Sequence, residues 1–443
     1  MDHYQAVIIG FGKGGKTLAA TLARQGWRVA LIEQSAAMYG GTCINIGCIP
    51  TKALVHDARQ QHGFAQAMQR KSALVSQLND KNYHMLADLP NLTLINGQAE
   101  FIDSHTVQVT EADRQYPLYG EKFFINTGAV PVMPSIPGLS STPGVYDSTG
   151  LLALDTLPAR LGILGGGYIG VEFASMFAQF GSQVTVFEAG AQFLPREDHD
   201  IADAMAEILR EQGVTLHLNA QVQQISAQPE GSVLVHMAEQ TYPVDALLVA
   251  SGRLPATQTL QLHHAGVEVN ARGAIIVDQF LRTTAEHIWA LGDVNGGPQF
   301  TYISLDDFRI VKDQLLGAGQ RHTGDRQHVP YAVFTTPPLS RVGLTEAQAR
   351  AAGHAIQVVS LPVAAIPQAR VLNAPQGMLK AVVDSHTQQI LGASLLCPEA
   401  HELINLVKTV MDAGLPYQVL RDQIFTHPTM SEALNDLFGQ VTA

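Results

Sequence analysis

The sequence is short of cysteine: three in 443 residues, an odd and low number that does not build the disulfide framework of an extracellular domain. Basic residues are also scarce. Twenty-seven Lys and Arg face 39 Asp and Glu, for a formal net charge of −12, which argues against nucleic acid or an anionic membrane as a partner. No apolar run approaches the length of a membrane span. The opening MDHYQAVIIG has neither a basic n-region nor a cleavage site, so the cytoplasm is the expected compartment. What the chain does have is 46% hydrophobic residues with 15% charged, the balance of a globular protein with a large interior. At this length two or three domains are expected.

Two of the cysteines share one stretch, Gly40-Gly41-Thr42-Cys43-Ile44-Asn45-Ile46-Gly47-Cys48-Ile49-Pro50-Thr51-Lys52. Five positions apart, they can close a short loop where the backbone folds back, and Gly47 gives that turn its freedom. Pro50 reads as the opening position of a helix continued by Ala53 to Gln60, which puts Cys48 at the helix's positive end. A thiol there ionises more readily, and the thiolate is the reactive form. Spacing alone leaves a pair of buried, inert cysteines equally open.

Ahead of this stretch, Tyr4 to Gly10 is an apolar run, followed by Gly10-Phe11-Gly12-Lys13-Gly14-Gly15, a helical stretch to Gln25, and a strand from Trp27 to Ile32 ending at Glu33. Strand, glycine turn, helix, strand and acid make a dinucleotide-binding unit. Gly10, Gly12 and Gly15 let the backbone approach a pyrophosphate, and Glu33 takes ribose hydroxyls. The unit returns at a constant offset of 155 residues, with Gly165, Gly167, Gly170 and Glu188 in the matching places. This internal repeat implies two nucleotide cofactors. A cysteine pair just after the first unit suggests FAD there and a nicotinamide nucleotide at the second. Glu188 would accept from ribose hydroxyls and repel a 2′-phosphate, so NADH is expected over NADPH.

Between the repeats, Asn91 to Phe101, Thr106 to Thr110 and Lys122 to Ala129 read as strands, the last closing on Thr127 and Gly128. Residues 130–144 form a Pro-, Gly- and Ser-rich linker. Ile201 to Gln212 has helical periodicity, and Asp245 to Gly252 is a buried strand. His287 to Val294 ends in a Gly-Asp turn at Asp293, and Thr301 to Leu316 reads as a helix. From Pro330 the pattern changes to strands at Tyr331–Phe334, Gln357–Pro362, Met378–Asp384 and Ile390–Leu396, with helices at Thr345–Ala352 and Ala400–Ala413. That is an α+β arrangement. Cys397 reads as a buried structural cysteine. In FTHPTMSE, Thr429 and Glu432 have capping-box spacing.

The string GGTCINIGCIPTK resembles the redox motif of the flavin-dependent pyridine nucleotide-disulfide oxidoreductases, which include glutathione reductase, lipoamide dehydrogenase and mercuric reductase. The other blocks fall in that family's order over essentially the whole chain. The resemblance implies an α/β fold with two Rossmann-like dinucleotide-binding domains and a C-terminal α+β dimerisation domain. FAD would take 1–147 with 271–327, NAD(P)H would take 148–270, and 328–443 would form a homodimer. Cys43 becomes the interchange thiol that attacks substrate, and Cys48 the charge-transfer thiol lying against the flavin, with Gly41 and Thr42 beside the cofactor. Asp293 would hold the ribitol chain, Gly252 would mark the exit from the nucleotide domain, and Lys52 would pair with Glu172 beside the flavin. The helix from Thr301 would point its N-terminus at the flavin ring, where fixed dipoles stabilise negative charge. His427 would reach the partner's active site as an acid/base oriented by Glu432.

Two departures stand out. Tyr302 occupies a place where lipoamide dehydrogenases usually carry histidine, and no cysteine pair lies near the C-terminus. In finer detail, IIGFGKGG, FTYISLDD and IFTHPTMSE resemble an enteric branch of the family that resists reactive chlorine and is described as reducing copper(II) with NADH. The expected reaction therefore carries electrons from NADH through FAD and the cysteine pair to copper(II), with Cys43 and Cys48 as transient contacts of the metal. A disulfide such as lipoamide or oxidised glutathione is the alternative acceptor. A non-catalytic flavin-binding redox sensor is the alternative of another class.

Overall fold

Ala6, Val7, Ile8 and Ile9 are all buried, as a central parallel strand requires, because such a sheet is covered on both faces. In the computed structural model, which describes residues 2–442, the strand Asp2–Ile9 pairs in parallel with Val29–Glu33 and with Arg114–Ile125. Val7 and Ile9 enter one apolar core and Ala6 and Ile8 another, one on each face. Leu92–Asn96 extends the sheet beyond Val29–Glu33, while Gln98–Phe101 and Thr106–Glu111 fold antiparallel toward Arg114–Ile125. The single strand expected over Asn91–Phe101 is therefore two, divided at Gly97 and set at opposite ends of the sheet order.

The second repeat rebuilds this plan. Arg160–Leu164 pairs in parallel with Gln183–Phe187 and Ala246–Val249, and Thr215–His217 and Val145–Tyr146 complete the sheet. An antiparallel meander, Gln224–Ala227, Val233–His236 and Thr241–Val244, shares its core. Val145–Tyr146 belongs to this sheet although it precedes the expected boundary at 148. Leu260, Leu262, Ala265 and Val267 already pack into the first sheet's core, ahead of the expected return at 271. We therefore take the crossings to lie near Gly144 and at the two-stranded ribbon of Ala129–Pro131 with Arg253–Pro255.

The remainder is a five-stranded antiparallel sheet, ordered Tyr331–Val333, Leu339–Gly343, Ile390–Leu396, Met378–Asp384, Ile356–Pro362. The helices Ala400–Asp412, Gln418–Asp422 and Ala433–Phe438 pack into its core. Cys397 is fully buried, and burial pushes its thiol up to about 12, which leaves it unreactive. Among the described residues no helix is long and apolar enough to cross a membrane.

One long element was not expected at all: the helix Phe64–Ala87. Its buried side includes Lys71 and Asn82 beside Phe64, Ala67, Met68 and Leu86, so its stripe is interrupted by polar residues and lacks a clean apolar period. Those polar residues have partners. Lys71 donates to the Leu152 carbonyl at 2.6 Å, and Asn82 accepts from Lys16 Nζ and donates to the Leu78 carbonyl at 2.6 Å.

A buried ion cluster joins the second unit to the third. Lys380 Nζ lies 2.9 Å from Asp200, 3.0 Å from Glu346 and 3.3 Å from Asp198. Burial opposes its charge, but the carboxylates of Asp200, Glu346 and Asp198 outweigh it and hold the lysine pKa above its ordinary value. Lys380→Met should leave these carboxylates facing one another and lower stability by about 3 kcal/mol, read as an earlier urea midpoint. A loss below about 0.5 kcal/mol would show that the cluster contributes nothing net.

Candidate active site

The two glycine turns are built alike. Gly10 and Gly165 take left-handed φ values of +101° and +104°, and a Cβ on either would strike the next strand, at 2.4 Å from the Asn126 carbonyl or 2.6 Å from that of Ala250. Gly15 and Gly170 in turn leave no room for a Cβ against the carbonyls of Gly10 and Gly165. Glu33 accepts from the Phe11 and Ser35 amides at 3.0 and 3.2 Å, and Glu188 accepts from the Gly166 and Gly190 amides, both at 2.7 Å. Each hydrogen bond has its copy at the same 155-residue offset. Both carboxylates are thereby fixed beside their turns, in the place a ribose would occupy.

The residues present fit dinucleotides. Around Gly128, Gly167 and Gly252 an added Cβ would meet nothing within 4 Å, so open space lies over the turns that the other glycines close from beneath. Thr127 holds the strand end by donating to the Ala256 carbonyl at 2.8 Å. Asp293 is half-buried in the turn Gly292–Asn295. Burial pushes its carboxyl above the ordinary value against the attraction of Arg253, and among the described residues no other residue donates to it, which leaves it for a ligand's hydroxyls.

The redox stretch rests directly on the first turn. Gly41, at φ +77°, would place a Cβ 2.8 Å from the Gly12 Cα. Cys43 lies in the one-turn helix Thr42–Asn45, and Cys48 is the first residue of the helix Cys48–Arg59. Pro50 is thus the third helical residue rather than the first, still within the turn whose amides have no acceptor. Both cysteines are free thiols. Cys48 Sγ lies 3.6 Å from Thr301 Oγ1, and Thr301 opens the helix Thr301–Leu316, whose N-terminus has no side-chain cap. Cys48 therefore meets the positive ends of two helices. The hydrogen bond from Cys43, with help from Thr301 and Lys52 and against burial, lowers the Cys48 thiol to about 6. That same bond, burial and the charge on Cys48 push the Cys43 thiol well above its ordinary value. The pair holds one proton, on Cys43, and one thiolate, on Cys48.

Around this pair the expected partners meet. Lys52 Nζ donates to Glu172 Oε2 at 2.7 Å and lies 4.7 Å above the Phe334 ring, while Glu172 Oε1 accepts from the Phe334 amide at 2.8 Å. Glu172 is buried, so this is no surface bridge. His427 Nδ1 lies 2.8 Å from Glu432 Oε2, and Glu432 Oε1 accepts from the Thr429 amide at 3.1 Å. The Glu432 amide donates back to Thr429 Oγ1 at 3.3 Å, so one carboxylate both closes the capping turn and orients the imidazole. His427 itself is exposed and is not among the polar neighbours of either cysteine within one chain. Tyr302 stacks on Phe300 and donates to the Pro330 carbonyl.

Sequence reasoning passed over the residues that tie these loops together. Asn126 accepts from the Gly15 amide at 2.8 Å and donates to the Leu291 carbonyl at 2.6 Å, and Ser304 accepts from the Gly14 amide at 3.0 Å. The glycine turn, the strand before Asp293 and the helix from Thr301 thus share one polar knot. Asp307, fully buried, accepts from the Gly292 amide at 2.6 Å and pairs with Arg326. Asn126 stands just before Thr127-Gly128, and a polar residue ending a buried strand was the available signal.

Two turns of one design, a cysteine pair on the first and a third α+β unit define a pyridine nucleotide-disulfide oxidoreductase, and the chain belongs to that family. The family's main model, "Pyridine nucleotide-disulphide oxidoreductase", matches residues 4–307, and its dimerisation-domain model matches 329–438. The chain is 66% identical, over the full length of both, to the probable pyridine nucleotide-disulfide oxidoreductase RclA of Escherichia coli strain K12. A structure of that protein, described as the Cu(II) complex of an HOCl-induced flavoprotein disulfide reductase, superposes with a TM-score of 0.98 over all of both chains. A mercuric reductase of Staphylococcus aureus is 34% identical over 97% of this chain and 81% of its own length. The protein is thus an oxidoreductase of a family that works with a flavin and a nicotinamide nucleotide.

Because the Cys48 thiol is lowered to about 6, its thiolate is present above that pH and is lost as the pH falls through it. With the cysteine pair reduced and a bound flavin oxidised, a long-wavelength absorption from thiolate to flavin should therefore persist from neutral pH to near 6 and fade below. A band that fades only between pH 8 and 9, the ordinary thiol range, would contradict this environment.

Proposed function

We propose that the protein, working in the cytoplasm as a homodimer, passes electrons from NADH through FAD and the Cys43/Cys48 pair to copper(II), giving copper(I), in defence against reactive chlorine and oxidative stress. The observation that carries this reading is the dithiol, in which one sulfur is already a thiolate beside two helix N-termini and Lys52. Soft sulfur donors favour copper(I) over copper(II). The Cu(II) complex of a relative 66% identical over the whole chain supports the same choice.

Bound FAD would supply a two-electron carrier between the nicotinamide and the disulfide. The protein's part is to hold charge and protons. Cys48 keeps its thiolate facing the flavin, Cys43 faces the substrate, and Lys52, anchored by Glu172, keeps positive charge beside Cys48. Oxidation of one thiol and one thiolate to the disulfide releases two electrons and one proton, which reduces two copper(II) ions. Metal reduction has no sulfur leaving group to protonate. Disulfide reduction has one, and the oriented His427 of the His427–Glu432 dyad favours that second reading, with the histidine reaching Cys43 across the dimer.

His427→Ala separates the two. It should retain a sizeable fraction of NADH-dependent copper(II) reduction, followed with a copper(I)-specific chelator, while lipoamide reduction falls on the order of 10²-fold or more. Equal loss of both activities would count against copper as the main acceptor, and negligible copper reduction by the unaltered enzyme would remove it. The amide-fixed carboxylate of Glu188 should make kcat/KM higher for NADH than for NADPH by on the order of tenfold or more. A higher value for NADPH would overturn that preference.

A further inference from the structure

Thr336 lies in the third unit, just past the strand Tyr331–Val333, yet its amide, its carbonyl and its hydroxyl oxygen all bond to other units. The amide donates to Ser175 Oγ at 3.2 Å, and Gln212 Nε2 donates to the carbonyl at 2.5 Å. The Ser175 hydroxyl donates in turn to Gln212 Oε1 at 3.1 Å, which closes the circuit. The hydroxyl oxygen of Thr336 accepts twice, from Arg59 Nε at 2.9 Å and from Gln179 Nε2 at 3.1 Å. These two donors sit on different helices. Arg59 ends the redox helix Cys48–Arg59, and Gln179 lies on the helix Tyr168–Phe180 that follows the second glycine turn. The residues before Thr336 follow the same plan. The Thr335 carbonyl accepts from Arg59, the Phe334 ring lies under Lys52, and the Phe334 amide donates to Glu172. On the redox helix the contacts fall at Lys52 and Arg59, and on the second helix at Glu172, Ser175 and Gln179. Such spacings keep each set on one helix face, so residues 334–336 fill the groove between the two helices. Apolar packing joins the same helices, with Leu54, Val55 and Ala58 in one core with Phe173, Phe177 and Val333.

We propose that residues 334–336 are a splint by which the third unit sets the first nucleotide unit against the second, with Thr336 as the positioning residue at its centre. Hydride transfer from a nicotinamide to a flavin needs the two rings in contact, and the turn that holds each ring belongs to a different unit. A misplacement of about 1 Å between them costs on the order of 10²-fold in rate. Apolar packing resists separation of the helices but is non-directional, so it leaves them free to slide. Hydrogen bonds are directional, and one oxygen shared by Arg59 and Gln179 fixes the register of one helix against the other. Thr336 therefore acts through the two helices and not by touching substrate. This inference rests on the route from NADH to FAD proposed above and is independent of which acceptor the enzyme uses.

Thr336→Val removes the shared acceptor while keeping the side chain's shape and both backbone bonds. In the holoenzyme, the rate at which NADH bleaches the flavin, followed by anaerobic stopped-flow without any acceptor, should fall about tenfold. Thr336→Ser, which restores the hydroxyl, should recover most of it. Hydrogen–deuterium exchange, read by mass spectrometry with no nicotinamide present, should quicken in residues 52–59 and 172–180 together. Arg59→Met and Gln179→Met should each slow flavin reduction, and the double variant should be slower by less than the product of the two effects, because both donors work through one oxygen. If Thr336→Val fails to hold flavin, that comparison decides. Flavin reduction in Thr336→Val at the unaltered rate, a loss that Thr336→Ser fails to recover, faster exchange in one helix alone, or single effects that simply multiply would overturn the proposal. A lower urea midpoint with an unchanged reduction rate would likewise reduce Thr336 to a structural contact. If NADH fails to reduce the flavin of the unaltered enzyme, the electron route falls, and the exchange pattern still judges the splint.

Discussion

The site depends on one contact made by backbone alone, the seating of Gly41 on Gly12, where a single added methyl would come within 2.8 Å of a neighbouring Cα. Because both residues lack side chains, the redox stretch lies against the nucleotide turn, and whatever binds that turn meets the cysteines next. A larger residue at Gly41 would push the two apart, and one at Gly12 would strike the Asn126 side chain instead, 2.4 Å from its oxygen. The polar knot of Asn126 and Ser304 holds the same geometry from the opposite side. It ties the glycine turn to the strand before Asp293 and to the helix whose first residue touches Cys48.

Charge then divides the labour between two chemically identical sulfurs. Cys48 starts one helix and lies at the mouth of another, with Lys52 near, whereas Cys43 is held as the hydrogen-bond donor of the pair. A first ionisation is therefore easy and a second is hard. Such a pair gives up two electrons while moving one proton. On the function proposed above, that stoichiometry suits an acceptor that is an ion, and the exposed His427, held by Glu432, would serve substrates that need an acid.

Much of this was legible in the sequence because glycine has few reasons to recur at fixed spacing. The offset of 155 residues predicted two turns, and the structure copies even the amide bonds of Glu33 and Glu188. The helix from Thr301 to Leu316 has the bounds its periodicity suggested. The helix Phe64–Ala87 was not legible, since Lys71 and Asn82 interrupt its apolar stripe; their burial makes sense only once the Leu152 carbonyl and Lys16 stand opposite them. One short strand near an expected boundary was hidden for a related reason. Val145–Tyr146 is two residues long, too short to carry a periodicity, and takes its strand character from pairing with Ala246–Val249.

In the proposed function Cys48 is the thiolate beside the flavin and Cys43 the sulfur that meets substrate. The most direct measurement is the visible absorption spectrum of the oxidised holoenzyme in two variants, Cys43→Ser and Cys48→Ser, at neutral pH. Cys43→Ser frees Cys48 from any disulfide and should show a long-wavelength thiolate-to-flavin band without added reductant, and Cys48→Ser should show none. Indistinguishable spectra, or a band confined to Cys48→Ser, would contradict the account.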